Sequence, residues 1–349
     1  MSLHIGVCPF HLLFKHPFGT THGVRTGTDC VFVRLEQNGV FGYGEATMPP
    51  YVPENQSSVV DVLRAVDFRG IDLPSGLNEL LGRSSTMVSS DPCARAAIIT
   101  AAYDLVGKLT DRSVYQVAEV PEPAGAKAMF TLGICALADI PLRLAELPEC
   151  EVLKVKLDGI GDIERTTAIN RLWKKKLFLD INQGWQTRKQ ATSYLSAIEG
   201  IELAGIEQPY LKDDLALNRW LQHNGSTTVY ADESVQGLKD MLERASGFGG
   251  VNVKLMKCGG LDQARQMIDK AKASGQRVML GSMSESSLGC TAAAHLSGLA
   301  DLVDLDGPWL ISNDPFKGIG VHEGRMHMPV GNGLGVVPDA ELQFVPISA

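Results

Sequence analysis

Apolar and polar positions alternate through the first 50 residues of the chain, as they do in antiparallel strands. In CVFVRLEQNGVFGYGEA, two apolar runs flank Asn38-Gly39, a dipeptide typical of a two-residue hairpin turn. The period then changes to that of amphipathic helices over residues 54–118, where Pro92 stands at a helix start. Strands followed by helices predict an α+β unit over residues 1–120.

A different pattern begins after VPEPAGAKA, a Pro-, Ala- and Gly-rich segment typical of a linker. Short apolar runs then alternate with helical stretches. The runs are AMFTLGI, VLKVKL, LFLDI, LAGIEQP, TVYADES, GVNVKLM, RVMLGSM and LVDLD. Eight strands alternating with helices predict a parallel βα barrel over residues 121–319. Short β-like runs return in residues 320–349, and we expect them to pack back on the N-terminal unit and complete it as a discontinuous domain.

Polar residues stand at the carboxyl ends of these runs, the end where barrel enzymes build their active sites. Asp180 closes LFLD, Glu207 closes LAGIE and Asp232 closes VYAD. With Lys156 before them and Lys254 after them, they follow one another at spacings of 24, 27, 25 and 22 residues. One βα unit spans roughly 25 to 31 residues, which predicts equivalent places on consecutive strands. Taken singly, each acid is also compatible with a turn, a loop or a helix start.

Three carboxylates aimed into one barrel mouth would repel one another unless a cation lay among them. Hard oxygen ligands suit Mg²⁺, which keeps open positions for water or substrate. Zinc is disfavoured because the set contains no His or Cys. The sequence therefore predicts a Mg²⁺ site formed by Asp180, Glu207 and Asp232.

The stretch EVLKVKLDG places two lysines on one face of a predicted strand. Lys154 and Lys156 alternate with apolar residues, and burying two unpaired ammonium groups side by side is costly. A neighbouring acidic metal site removes this conflict. If Lys254 enters the same cavity from the opposite side, a substrate would lie between Lys156 and Lys254. Two amines flanking one carbon can remove a proton from one face and return it to the other, while Lys154 orients and polarises the substrate. The cation would stabilise the enediolate formed by proton loss.

These motifs resemble those of the enolase superfamily, in its muconate-lactonizing-enzyme subgroup. The resemblance covers nearly the whole chain, and the segments that carry it are Lys154-Val155-Lys156, LDINQGW, IEQP, ADES, VNVKLMKCGG, GSMSES and ARAAIITAAYDLVGK. It implies an α/β fold, a modified (β/α)₇β barrel with an α+β capping domain formed by the N-terminal region and the C-terminal tail. Members of this superfamily pair a Lys or His base with Mg²⁺. The resemblance also implies that the pocket is lined by Thr131, Ser282, Met283 and Glu285.

Two acids, Asp304 and Asp306, end the eighth run in LVDLDGP and share a strand face by their spacing of two. This D-x-D resembles the dipeptide epimerases, in which such a pair receives the ammonium group of the substrate's N-terminal residue. A pair of acids is a suitable receptor for a cation. The same acids are also compatible with a polar turn before Gly307-Pro308.

Side-chain specificity in this family is set by loops of the capping domain, here residues 17–27 and 46–54. His22, Arg25 and Tyr51 are the candidate specificity residues. An acidic second residue facing Arg25 or His22 would favour L-Ala-D/L-Glu, a dipeptide derived from peptidoglycan.

Composition narrows the functional classes. The formal net charge of −8 argues against a nucleic-acid or anionic-membrane surface. No apolar stretch reaches membrane-spanning length, and the start MSLHIGVCPF lacks the features of a signal peptide. Seven scattered cysteines without a C-x-x-C pair indicate reduced thiols. We therefore expect a cytoplasmic protein with a small-molecule substrate, and the resemblance implies that copies of it associate into a homo-oligomer.

The main hypothesis is a Mg²⁺-dependent dipeptide epimerase that moves a proton at the α-carbon of the C-terminal residue. An o-succinylbenzoate synthase, an N-acylamino acid racemase or a cycloisomerase would use the same metal and lysines without needing Asp304 and Asp306. A non-catalytic barrel that binds a small molecule would show neither Mg²⁺ affinity nor proton exchange.

Overall fold

The first strands of the chain form an antiparallel sheet. The computed structural model describes residues 3–20, 23–48, 52–123, 125–339 and 341–347. The sheet has the order β16-β1-β2-β3, and its strands are β1 (His4–Thr20), β2 (Gly23–Gln37), β3 (Val40–Met48) and β16 (Val345–Pro346). Asn38 and Gly39 join β2 to β3 with φ of 57° and 76°, the left-handed backbone that a tight hairpin needs. The predicted hairpin is confirmed.

Helices cover one face of this sheet. They are α1 (Gln56–Ala65), α2 (Leu77–Arg83), α3 (Met87–Ser90), α4 (Pro92–Leu109) and α5 (Val114–Val117). The buried helix α4 packs across β2 and β3. Gly42 and Gly44 permit this contact, because a Cβ atom there would lie 2.2 Å from the Ala101 carbonyl oxygen and 1.9 Å from that of Ala97. Together the sheet and these helices form the α+β capping layer.

The centre of the chain forms a parallel eight-stranded sheet in which each strand pairs with the next in chain order. Its strands are β4 (Met129–Leu132), β5 (Val152–Lys156), β6 (Lys176–Asp180), β7 (Leu203–Glu207), β8 (Val229–Ala231), β9 (Gly250–Val253), β10 (Arg277–Gly281) and β11 (Leu302–Asp304). A parallel bridge between Ala128 and Val303 brings the first strand to the last and nearly closes the barrel. Each predicted run coincides with one strand, β6 beginning one residue before its run, so the barrel prediction is confirmed.

Helices connect these strands around the barrel. They are α6 (Ile140–Ala145), α7 (Asp162–Leu172), α8 (Arg188–Ala197), α9 (Leu215–Asn224), α10 (Leu238–Glu243), α11 (Leu255–Cys258), α12 (Leu261–Ala273), α13 (Ser287–Ala294) and α14 (Gly307–Leu310). Within the described residues, none of the helices combines the length and apolar character needed to cross a membrane. All seven cysteines are free thiols.

Strand β5 shows how the barrel sorts its side chains. Val152 joins a buried cluster with Phe178 and Tyr230, contributed by other barrel strands. Leu153 and Val155 belong instead to the large core. Because side chains alternate along a strand, Lys154 and Lys156 share the side of Val152 and point toward the barrel interior.

The C-terminal segment is divided between the two parts of the molecule. Its strands are β12 (Phe316–Lys317), β13 (Gly320–His322), β14 (Arg325–His327), β15 (Val337–Pro338) and β16, and they pair as β12 with β15, β13 with β14, and β16 with β1. The hairpin of β13 and β14 lies against the chain that enters the barrel, where Ala128 N–H donates to the Gly324 carbonyl. Residues 333–334 and 345–346 contact the cap: Leu334 N–H donates to Asp104 Oδ1, Val114 N–H donates to the Gly333 carbonyl, and β16 pairs with β1. The domain bounds 1–120 and 121–319 stay a prediction.

Candidate active site

Lys156, Asp180 and Glu207 stand side by side at the carboxyl end of the barrel. The strand register pairs Lys156 of β5 with Asp180 of β6, and Asp180 with Glu207 of β7. Asp232 and Lys254 follow directly after β8 and β9. The structure thus brings all five residues of the spacing series to one end of the barrel.

Lys154 is the centre of an ion-pair network on the floor of the site. Its Nζ lies 2.6 Å from Glu207 Oε2, 2.7 Å from Asp304 Oδ2 and 3.1 Å from Asp180 Oδ2. Only 2% of Lys154 is exposed. Burial alone would lower its pKa, but Asp304, Glu207 and Asp180 outweigh this and raise the pKa well above the ordinary lysine value. Lys154 is therefore held as an ammonium ion.

Lys156 and Lys254 approach one cavity from opposite sides. Both line it, together with Lys154 and Asp232. Lys156 ends β5 and Lys254 follows β9, four strands further on in an eight-stranded barrel, so the two lysines lie across the barrel from each other. Lys156 Nζ is 2.5 Å from Asp180 Oδ2, and Lys254 Nζ is 2.8 Å from Asp232 Oδ2.

The buried acids of the floor differ in protonation. Burial would raise the pKa of Asp180, but Lys156 and Lys154 hold it well below the usual range. Lys254 and Lys257 do the same for Asp232 against its own burial. Glu207 behaves in the opposite way: burial, and next Asp180, raise its pKa to about 8.

Asp180, Glu207 and Asp232 fit the predicted metal site by their chemistry. In the part of the chain that the structure describes, no three His, Cys, Asp or Glu side chains come close enough to hold a metal ion, and lysines take the carboxylate oxygens instead. The three acids are nevertheless buried oxygen donors. Burial and then the neighbouring Asp180 raise the pKa of Glu207, which shows that the carboxylates lie close enough to repel one another. Such a donor set suits a hard divalent cation.

The predicted D-x-D pair lies at the edge of the same cavity, beside strand β4. Asp306 Oδ2 accepts a hydrogen bond from Thr131 N–H at 2.6 Å, and Thr131 Oγ1 donates to Asp304 at 3.4 Å. Burial, and next Asp304, raise the pKa of Asp306 to about 6. Both acids are 5% exposed and line the cavity. A cation placed between them would offset the repulsion between the two carboxylates.

The other predicted pocket residues divide into three groups. Ser282, Met283 and the half-buried Arg25 line the cavity. Glu285 is buried and is not among the lining residues, and burial and the neighbouring Glu45 raise its pKa to about 8. The last group, His22 and Tyr51, lies outside the described residues.

Several residues of the site were missed from the sequence. Lys257 Nζ lies 2.7 Å from Asp232 Oδ1, and Asn252 donates to Glu207 at 2.6 Å. Glu233 lines the cavity, and its pKa is raised to about 7 by burial and by the adjacent Asp232. Asn252 could have been found, because it precedes Lys254 by two residues and shares its strand face. Lys257 could not be found in this way, because it reaches Asp232 only through the helical turn of α11 that follows Lys254.

The comparisons with known proteins agree with this architecture. Residues 5–118 match the model of the mandelate racemase/muconate lactonizing enzyme N-terminal domain, and residues 143–342 match the enolase C-terminal domain-like model. The chain is 36% identical over 334 residues to an L-Ala-D/L-Glu epimerase of Bacteroides thetaiotaomicron, covering 94% of this chain and 86% of that protein.

Two solved structures share the whole fold. One is a substrate-liganded complex of the L-Ala-D/L-Glu epimerase from Bacillus subtilis, with a TM-score of 0.89 and 28% identity, covering 98% of this chain and 100% of that one. The other is a dipeptide epimerase from Enterococcus faecalis complexed with Mg and L-Leu-L-Tyr, with a TM-score of 0.88 and 28% identity, covering 96% and 99%. The chain described here belongs to the mandelate racemase/muconate lactonizing enzyme family of the enolase superfamily.

Proposed function

We propose that this isomerase is a Mg²⁺-dependent dipeptide epimerase that acts at the α-carbon of the substrate's C-terminal residue through an enediolate. The observation that carries the proposal is the placement of Lys156 and Lys254 on opposite sides of one cavity. Inversion at carbon requires that a proton leave one face and another arrive at the opposite face. Two amines across a cavity meet this requirement.

Asp180, Glu207 and Asp232 would hold the metal ion. When bound, Mg²⁺ would supply positive charge that stabilises the negative charge developing on the substrate carboxylate. The ammonium of Lys154, 2.6 Å from Glu207, adds a fixed positive charge at the same place. Because its pKa is raised well above the ordinary value, Lys154 acts as a charge and leaves proton transfer to the other two lysines.

When a substrate binds, one of the two lysines must be neutral, to accept a proton, and the other must be an ammonium ion, to donate one. For one epimer, neutral Lys156 takes the α-proton while the Lys254 ammonium donates from the other face. For the second epimer the roles are exchanged. In D₂O, a proton returned from a lysine that exchanges with solvent would be replaced by deuterium.

Asp304 and Asp306 support a dipeptide as the substrate. A substrate ammonium between them would hold the peptide by its N-terminal end, with its carboxylate directed toward the metal site. The Enterococcus faecalis neighbour was crystallised with Mg and a dipeptide. The substrates of an o-succinylbenzoate synthase, an N-acylamino acid racemase or a cycloisomerase have no free α-ammonium group for such a pair to bind.

Arg25 supports an acidic side chain on the second residue. It lies on β2, lines the cavity and holds its guanidinium carbon 5.5 Å from the centre of the Phe14 ring. A guanidinium can bind a carboxylate with two parallel hydrogen bonds. L-Ala-D/L-Glu, a product of peptidoglycan breakdown, is therefore the first substrate to test.

Deuterium exchange tests the proposed function. The purified protein is incubated in D₂O with Mg²⁺ and either L-Ala-L-Glu or L-Ala-D-Glu, and proton NMR follows the α-position of the second residue. We expect loss of that α-proton signal from both epimers, abolished by EDTA and restored by Mg²⁺. Retention of the α-proton across a panel of dipeptides, with Mg²⁺ present, would refute the proposal.

A further inference from the structure

A second cavity, of about 360 Å³, adjoins the catalytic cavity. It lies between the tip of β1, the loop that follows β4, and α14. The two cavities share the lining residues Phe18, Thr131 and Leu310. None of the roles proposed above makes use of this space.

The catalytic cavity is too small for a dipeptide by itself. Its volume is about 60 Å³. Sites for small molecules usually measure roughly 300–1,000 Å³, so a dipeptide held at the lysines must extend into adjoining space. The neighbouring cavity brings the combined volume into that range.

The walls of the second cavity are mainly apolar and aromatic. Phe14 and Phe18 pack edge to face at 6.1 Å, and the Phe130 and Trp309 rings do so at 5.1 Å. At its polar rim, His16 Nε2 lies 2.6 Å from Glu146 Oε2.

Arg143 stands at the same rim, with Nη1 3.7 Å from Glu146 Oε2. Lys15 lines the cavity as well, so the rim keeps positive charge and the apolar character of the cavity comes from its aromatic walls. The surface left to a ligand is suited to a large apolar group, because burying aromatic or branched side chains gives a large hydrophobic stabilisation.

Thr131 fixes which part of the substrate faces this cavity. Its backbone N–H donates to Asp306 and its hydroxyl to Asp304, and Thr131 belongs to both linings. A substrate ammonium bound by these acids would place the first residue's α-carbon beside Thr131. The side chain on that carbon then has the second cavity next to it.

We propose that the second cavity binds the side chain of the substrate's first residue and that it selects large apolar side chains. This inference rests on the proposed dipeptide epimerase function and extends it, because alanine would leave the cavity almost empty. The substrates would be dipeptides whose first residue is aromatic or branched.

The first test compares L-Phe-L-Glu, L-Leu-L-Glu and L-Ala-L-Glu in the Mg²⁺-loaded protein, by kcat/KM for deuterium uptake. We expect the kcat/KM of at least one of the two larger dipeptides to exceed that of L-Ala-L-Glu. Exchange of L-Ala-L-Glu combined with a ratio of one or less for both larger dipeptides would overturn the inference and leave the epimerase function standing. No exchange with any dipeptide would overturn both.

The second test fills the cavity. Cys135 lies in its wall, half-buried, so Cys135→Trp is expected to lower the large-to-alanine ratio about tenfold. Leu142→Trp adds the same ring on the exposed side of α6, outside the cavity, and should leave the ratio unchanged. If Cys135→Trp fails to fold by circular dichroism, Leu147→Trp in the same wall takes its place. An unchanged ratio in a folded variant of the wall would contradict the inference.

Discussion

The floor of the catalytic cavity and the seam between α13 and the cap both bury carboxylates, but they satisfy them differently. On the floor, Asp180 and Glu207 are fully buried and pair with lysine side chains. At the seam, Glu45 of β3 is equally buried and accepts hydrogen bonds from Ser286 N–H at 3.0 Å and Gly289 N–H at 2.9 Å. The Ser286 and Thr47 hydroxyls also donate to Glu45.

This difference separates a reactive region from a structural one. Backbone N–H groups near the start of α13 are fixed in direction, so their hydrogen bonds to Glu45 hold the cap to the barrel. Ammonium groups end long flexible side chains, and they can release a carboxylate when a metal ion or substrate arrives. Burial raises the pKa of Glu45, whereas lysines lower the pKa of Asp180 despite its burial. Lysines therefore keep Asp180 charged on the floor, whereas burial raises the pKa of Glu207 on the floor as it does that of Glu45 at the seam.

The largest expected effect is the loss of activity in Lys254→Ala. Without this amine, one face of the α-carbon has no proton donor or acceptor, so epimerisation should fall by roughly 10²- to 10⁴-fold. The fold should remain, because Lys257 still pairs with Asp232 at 2.7 Å. Chiral chromatography of the products measures turnover, and urea unfolding measures stability.

Lys270→Ala, on the exposed side of α12, is the control for removing a lysine and should retain full activity. Unimpaired epimerisation by folded Lys254→Ala would remove the two-lysine mechanism.

A substitution at the seam should lower the stability of the protein and leave substrate binding unchanged. In Glu45→Ala, the N–H groups of Ser286 and Gly289 lose their acceptor inside the protein, and an unsatisfied buried donor costs about 1–3 kcal/mol. We expect the free energy of unfolding to fall by about 3 kcal/mol in urea titrations, while KM for the dipeptide stays unchanged in the folded fraction. If Glu45→Ala kept its stability and lost activity, Glu45 would have a role in the reaction and the structural role proposed for the seam would be wrong.

The sequence predicted the floor far better than the seam, for a physical reason. Parallel strands buried on both faces leave apolar runs, and the barrel repeat brings their ends to one mouth, so regular spacing identified Asp180, Glu207 and Asp232 as neighbours. Glu45 has no such signal, because Ser286 and Gly289 lie 241 and 244 residues away.

The second cavity was also not predicted. It forms where the tip of β1 meets the loop after β4 and α14, a contact between distant segments that no local period records.

The pH dependence of stability tests a second buried residue of the seam, His295. His295 ends α13, is 3% exposed, accepts from Tyr115 N–H at 3.3 Å and lies 3.2 Å from the Leu334 carbonyl. Burial lowers its pKa from 6.5 to about 4. Between these values the unfolded chain binds a proton that the folded protein does not. The contribution of His295 to stability is therefore full above pH 6.5 and decreases as the pH falls toward 4, by about 2 kcal/mol between pH 7 and pH 5.

Urea unfolding at several pH values measures this dependence. In His295→Gln that part of the pH dependence should disappear, whereas His327→Gln on the exposed strand β14 should keep it. The same slope in His295→Gln and in the wild type would contradict a neutral buried His295.

The smallest expected effect concerns a charge that belongs to neither region. Arg25 sits on the cap but faces the catalytic cavity, with its guanidinium over Phe14. If it binds the acidic second residue, Arg25→Met should reduce the preference for L-Ala-L-Glu over L-Ala-L-Leu about tenfold in kcat/KM, with little change in stability. Arg34→Met is the matched control, because Arg34 lies on the same strand and stacks 4.8 Å from the Phe41 ring centre, outside the cavity. An unchanged preference in Arg25→Met would separate the two claims: the lysines would still perform the epimerisation, but the second side chain would be recognised elsewhere.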